Sequence, residues 1–133
     1  MPIVNAFALP GGYIYGTRGL VALAGNEAEL AAVMAHEIGH VTARHLARRY
    51  SRQMLTELGA GVLGAVTGSR TPRDLANLGG TLYLRGYSRD QEFQADTLGI
   101  RYLTRAGYDP GAMVSFLAKM GANARFQAAR WRR

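Results

Sequence analysis

The run His36-Glu37-Ile38-Gly39-His40 holds the residues of this chain best suited to chemistry. On a helix of about 3.6 residues per turn, His36 and His40 lie about 40° apart and one turn up, so both imidazoles can address one metal ion. Neutral imidazole is a good zinc ligand, and two ligands on one rigid helix lose little entropy on binding. Glu37 sits about 100° round from His36, near enough to face water at the metal without ligating it. Two ligands and a general base are what metal-assisted hydrolysis of a peptide bond requires. Three positions alone also fit a structural histidine pair on an amphipathic helix, so the surrounding elements must be weighed.

The helix that must carry these residues has a start signal in Asn26, a strong N-cap, with Glu29 at the third helical position. Leu30, Val33, Met34, Ile38 and Val41 recur at three- and four-residue intervals, which predicts one buried face. Gly39 costs such a helix roughly 1 kcal/mol against Ala, so it marks a close approach by another element. Arg44, Arg48, Arg49 and Arg52 suit a helix C-terminal half through the macrodipole, extending the expected helix past the motif. On a continuous helix His45 points about 140° away from His40 and cannot share its metal. The metzincin position for a third histidine holds Leu46, and Ala43 stands where that pattern has its glycine. His45 is therefore assigned a structural or supporting role, and a third ligand must come from elsewhere.

Upstream, residues 3–9 and 13–17 are β-prone runs separated by Pro10-Gly11-Gly12, a hairpin turn, with Arg18-Gly19 ending the second strand. Downstream, residues 54–68 combine glycines with Leu55, Leu58, Val62, Leu63 and Val66, which predicts a loosely helical flap partly buried over the cleft. Thr71, Pro72 and Asp74 open a helix running to about Arg85. Ser88 with Gln91 caps a further helix, on which Glu92 and Asp96 stand one turn apart on one face before the stop at Ala106-Gly107. Asp109-Pro110 starts a last helix with a core stripe of Met113, Phe116, Leu117 and Met120, and the tail from Asn123 is expected to fray. The expected fold class is α+β, mostly helical with a small β-hairpin near the N-terminus. Residues 1–133 are expected to form a single domain, and a start inside a strand suggests a domain excised from a longer chain.

The net charge of +7 and the pI near 10.4 would suit an acidic partner. All the basic residues but Lys119 are arginines, scattered along the chain without a nucleic-acid motif or an aromatic stacking platform. No nucleic-acid partner is expected, and attraction to an anionic membrane surface stays open. The absence of cysteine removes disulfides and thiolate ligands, leaving histidine and carboxylate to hold any metal. No stretch approaches the ~20 apolar residues of a membrane span, and residues 1–12 lack a signal-peptide pattern.

His36-Glu37-x-x-His40 followed by Glu92-x-x-x-Asp96 resembles the gluzincin pattern. The blocks NAFALPGG (5–12), YIYGTRGL (13–20), HEIGHVTARH (36–45), YSRDQEFQADTLG (87–99) and AGYDP (106–110) narrow the likeness. Together they resemble the HtpX/CaaX-prenyl-protease family of gluzincin zinc metallopeptidases, in the manner of its bacterial periplasmic, BepA-like members and its mitochondrial quality-control members. The resemblance implies a zincin-type metalloprotease fold and one Zn2+ per chain held by His36, His40 and Glu92. It implies Glu37 as the catalytic base and Asp96 as the carboxylate that orients a ligating histidine. It further implies an endopeptidase acting on unfolded or misfolded proteins and peptides in envelope or membrane protein quality control, in a periplasmic or membrane-associated setting. Substrate would add as a strand along Asn5, Ala6 and Phe7. Arg89, Tyr87 and His45 are candidates to stabilise the oxyanion, with Arg89 first because it lies one helical turn before Glu92. Two other readings stay open: a weakly active or autoinhibited zinc-binding, chaperone-like module of the same fold, and a basic surface module in which the histidines are incidental.

Overall fold

A computed structural model describes residues 3–68 and 86–130 of the chain. Two strands, β1 (Ala6–Leu9) and β2 (Tyr13–Gly16), precede the helices α1 (Arg18–Leu23), α2 (Glu27–Thr42), α3 (His45–Thr67), α4 (Arg89–Arg105) and α5 (Gly111–Arg130). The architecture is thus α+β and mostly helical, with one small antiparallel sheet at its N-terminal end. The helix expected between Thr71 and Arg85 lies outside the described residues. Among those described, no helix is long and apolar enough to cross a membrane.

The hairpin pairs Ala6 with Gly16, Phe7 with Tyr15, Ala8 with Ile14 and Leu9 with Tyr13. Its turn needs φ of +97° at Gly11 and +88° at Gly12, a region that glycine enters without a Cβ clash. The Thr17 N–H donates to the Asn5 carbonyl at 2.9 Å, and the Asn5 N–H donates to the Thr17 hydroxyl at 3.0 Å. Antiparallel pairing alternates, so Asn5 and Phe7 turn their backbone groups toward β2 while Ala6 and Ala8 turn theirs toward the free edge. Arg18 and Gly19 do not merely end a strand. The Thr17 hydroxyl also accepts the Leu20 N–H at 3.2 Å and so caps α1, a short helix whose Leu20 is buried.

Helix α2 starts at its expected cap, the Asn26 side chain accepting the Glu29 N–H at 2.9 Å. Glu29 does not close a capping box on Asn26. Its buried carboxylate accepts the Gly25 N–H at 2.7 Å, the Ser115 hydroxyl at 2.7 Å and the Lys119 ammonium at 2.6 Å, tying the start of α2 to α5. The buried face of α2 also differs from the apolar periodicity. Ala32, Ala35 and Gly39 are buried, Ile38 is exposed, and Leu30, Val33, Met34 and Val41 are only partly covered. The reason is the neighbour: α2 packs chiefly on α4, with Gly39 and Gly99 at the contact, and helices this close need small residues between them. Ala32, Ala35, Leu103, Ala112 and Met113 form the core between α2, α4 and α5.

The expected single helix through Arg52 is instead two. It breaks at Ala43 and Arg44, where Arg44 adopts φ +57°, left-handed and costly for a residue with a Cβ, and α3 sets off in a new direction. The flap expected at 54–68 is likewise corrected: these residues continue α3 as a regular helix capped by Gly68 at φ +71°. Leu55, Leu58, Val62, Leu63 and Val66 are all exposed on it, because α3 runs away from the α2–α4–α5 core. Helix α4 is closed at its start by a reciprocal Ser88–Gln91 capping box and at its end by Gly107, with the Tyr108 N–H donating to the Leu103 carbonyl at 3.1 Å. Helix α5 continues to Arg130, past the expected fraying point at Asn123.

Candidate metal centre

Helices α2 and α4 bring His36, His40 and Glu92 together, each offering an atom within 4.8 Å of the others. The His36 and His40 Nε2 atoms are 3.0 Å apart, and Glu92 oxygens lie 3.3 Å from the first and 3.5 Å from the second. Each imidazole is held by its other nitrogen. His36 Nδ1 meets Asp96 Oδ1 at 2.8 Å; a carboxylate only accepts, so Nδ1 carries the proton and Nε2 keeps its lone pair. Burial is the chief cause holding His40 neutral, and the nearby Arg49 guanidinium adds to it, bringing its pKa down to about 3. Two imidazole Nε2 atoms and a carboxylate thus converge on one point. That donor set fits a divalent cation that favours nitrogen and oxygen ligands, such as zinc.

Glu37 is buried on the same helix beside this cluster and accepts a hydrogen bond from the Ala8 N–H, one of the groups β1 turns to its free edge. Burial pushes its carboxyl above the usual range. The Glu92 carboxylate reinforces that shift, and the Ala8 amide opposes it. A base with a raised pKa accepts a proton more readily once ionised.

A cleft of about 380 Å³ opens at this point, lined by Asn5 and Ala6 of the hairpin side, by His36, Glu37, Glu92 and Asp96, and by Met113, Phe116, Leu117 and Met120. The α5 stripe expected as core is therefore partly cleft wall: Phe116 and Met113 are buried, while Leu117 and Met120 stay partly open to it. A second cavity, about 280 Å³, lies beside His40 and is lined by Ala8 to Gly12, Arg44 and Tyr87.

The remaining sequence-predicted residues fall in different places. Asn5 and Ala6 reach the cleft; Phe7 stacks on Tyr15 at 5.4 Å and turns its backbone to β2, the pleat having placed it opposite to its neighbours. Arg89 is exposed at the first position of α4 and lines neither cavity, because Ser88 caps the helix there and α4 starts at its edge. Tyr87 does stand at the site, its ring stacked on His40 at 3.8 Å with Arg49 over it at 4.7 Å. His45 is buried against His40, with 2.9 Å between their Nδ1 atoms, and its Nε2 meets Gln94 Oε1 at 2.8 Å. The left-handed turn at Arg44 makes this contact, reversing the 140° separation expected on a straight helix. Gln94 had no sequence signal beyond lying two residues after Glu92.

The profile of Peptidase family M48 matches residues 1–130. The chain is 41% identical over 132 residues to the Beta-barrel assembly-enhancing protease of Yersinia pestis, covering 92% of this chain and 27% of that protein. It is 40% identical over 136 residues to the protein of that name in Escherichia coli strain K12, covering 94% and 28%. It is 39% identical over 121 residues to the Mitochondrial metalloendopeptidase OMA1 of Arabidopsis thaliana, covering 90% and 24%. The chain spans about a quarter of the length of these relatives. With nearly its whole length matched, the chain belongs to peptidase family M48.

Proposed function

We propose that this chain is the catalytic part of a zinc-dependent endopeptidase of the gluzincin type. The reading is carried by the convergence of His36 Nε2, His40 Nε2 and a Glu92 oxygen within 4.8 Å, beside the buried carboxyl of Glu37. One Zn2+ per chain would be held by these three side chains. When bound it supplies Lewis acidity toward the scissile carbonyl and toward water.

The chain's own residues do the rest. Glu37 takes a proton from the attacking water and returns it to the leaving amine, its basicity raised by burial and its carboxylate steadied by the Ala8 N–H. Asp96 keeps His36 in its Nδ1–H form. A substrate strand lies along the free edge of β1, where Ala6 offers backbone groups, and Met113, Phe116, Leu117 and Met120 receive an apolar side chain. Tyr87, packed against His40, precedes Arg89 and His45 as the donor to the developing oxyanion.

Substrates are unfolded or misfolded proteins and peptides, in envelope or membrane protein quality control; that two relatives are named a beta-barrel assembly-enhancing protease and a mitochondrial metalloendopeptidase supports a protein substrate. The setting proposed is periplasmic or membrane-associated, with no nucleic-acid partner. Zinc content of the purified protein, paired with cleavage of unfolded casein, tests the reading. One zinc per chain, and cleavage that stops with a chelator and returns with zinc, is expected. Zinc-free protein that cleaves casein, or zinc-loaded protein that does not, overturns it.

A further inference from the structure

His45 is 2% exposed, so both ring nitrogens must find protein partners, and they do: Nδ1 faces His40 Nδ1 at 2.9 Å and Nε2 faces Gln94 Oε1 at 2.8 Å. Among the described residues, no buried side-chain nitrogen or oxygen lacks a partner. Only one proton fits between the two facing Nδ1 atoms, so its owner is decided by what lies at the far end of the chain.

The amide oxygen of Gln94 only accepts, so His45 must donate from Nε2 and keep a lone pair on Nδ1. His40 must then donate from its own Nδ1, which leaves its Nε2 lone pair facing His36 and Glu92. A donor in place of that amide oxygen reverses every step: His45 takes the Nδ1–H form, His40 accepts at Nδ1, and a proton occupies His40 Nε2.

We propose that Gln94, acting through His45, is a positioning residue that holds His40 in the tautomer whose Nε2 is free to bind. The two ligand histidines are thus oriented from opposite sides of α4, His36 by Asp96 and His40 by the Gln94–His45 pair. The left-handed residue Arg44 belongs to the same device, since its turn carries His45 back to His40. The consequence for metal binding rests on the zinc reading above; the tautomer assignment does not.

The test is long-range 1H–15N correlation spectroscopy of the metal-free protein labelled at its imidazole nitrogens, alongside zinc titration with a competing chelator. In the native protein, His40 should appear as the Nδ1–H form and His45 as the Nε2–H form. Gln94→Leu removes the acceptor, and because Gln94 is exposed the fold should keep its thermal stability. That variant should show mixed tautomers at His40 and about tenfold weaker zinc binding, while Gln94→Glu, which retains an acceptor, should restore both. His40 in the Nε2–H form in the native protein, or tautomers unmoved by Gln94→Leu, overturns the proposal. Native protein that binds no zinc overturns the zinc reading instead, and the spectra still decide the tautomers.

Discussion

Gly39 of α2 lies so close to Ala95 of α4 that a Cβ on it would stand 2.7 Å from the Ala95 carbonyl oxygen and 3.0 Å from the Ala95 Cα. Four residues on, Gly99 makes the reciprocal approach, where a Cβ would stand 3.0 Å from the His36 backbone nitrogen. These two contacts fix the distance between the helix bearing both histidines and the helix bearing Glu92 and Asp96. The geometry of the His36–His40–Glu92 cluster is thus set by backbone packing before any ligand is considered.

Gly39→Ala should therefore destabilise, although alanine is the better helix former by roughly 1 kcal/mol. The obstacle is backbone, which cannot swing aside, and overpacking typically costs about 1–3 kcal/mol. Thermal melting should fall, and zinc affinity should drop with it as Glu92 moves away from the histidines. Unchanged melting and unchanged affinity would mean that α4 can retreat without cost.

Glu37→Gln should abolish peptide hydrolysis while zinc stays bound, because a base is lost and no ligand is. Removal of a general base is worth about 10²–10⁴-fold. Near-native turnover of a fluorogenic peptide would remove Glu37 from that role.

Glu92→Ala should lose zinc and activity together, since the two imidazoles alone make a weak site. Asp96→Asn should be milder, lowering zinc affinity by about 10–100-fold through the orientation of His36. Competition with a chromogenic chelator separates the two. Equal zinc retention by native and Glu92→Ala protein would require another third ligand.

Glu29 carries a pH-dependent share of stability. The Lys119 ammonium, with the Gly25 N–H and the Ser115 hydroxyl, lowers its pKa from 4.5 to about 2. The charged form is favoured in the folded state, so the contribution is present above about pH 4.5 and is lost as pH falls toward 2. Glu29→Gln should melt lower than native protein at pH 7, and the difference should shrink across that acidic window. A melting difference that stays constant from pH 7 to pH 2.5 would show that packing, not charge, is what the substitution removes.

Local order was legible in the sequence because it depends on residues a few positions apart. Helical rotation alone aligns His36 with His40, Asn26 caps α2, and Ser88 with Gln91 caps α4 through bonds that short segments make by themselves. Glu92 and Asp96 could be placed on one helical face for the same reason. What tertiary structure decided involves backbone meeting backbone from distant segments. The tight α2–α4 contact moved the buried face of α2 onto Ala32, Ala35 and Gly39, a face of small residues that apolar periodicity does not register. A single left-handed residue, Arg44, redirected the chain and delivered His45 to His40; arginine carries no local signal for that conformation. The pleat of β1, set by its pairing with β2, turned Ala8 rather than Phe7 toward the Glu37 carboxylate. The histidine pair is a property of one helix; the cluster around it exists only where α2, α4 and β1 meet.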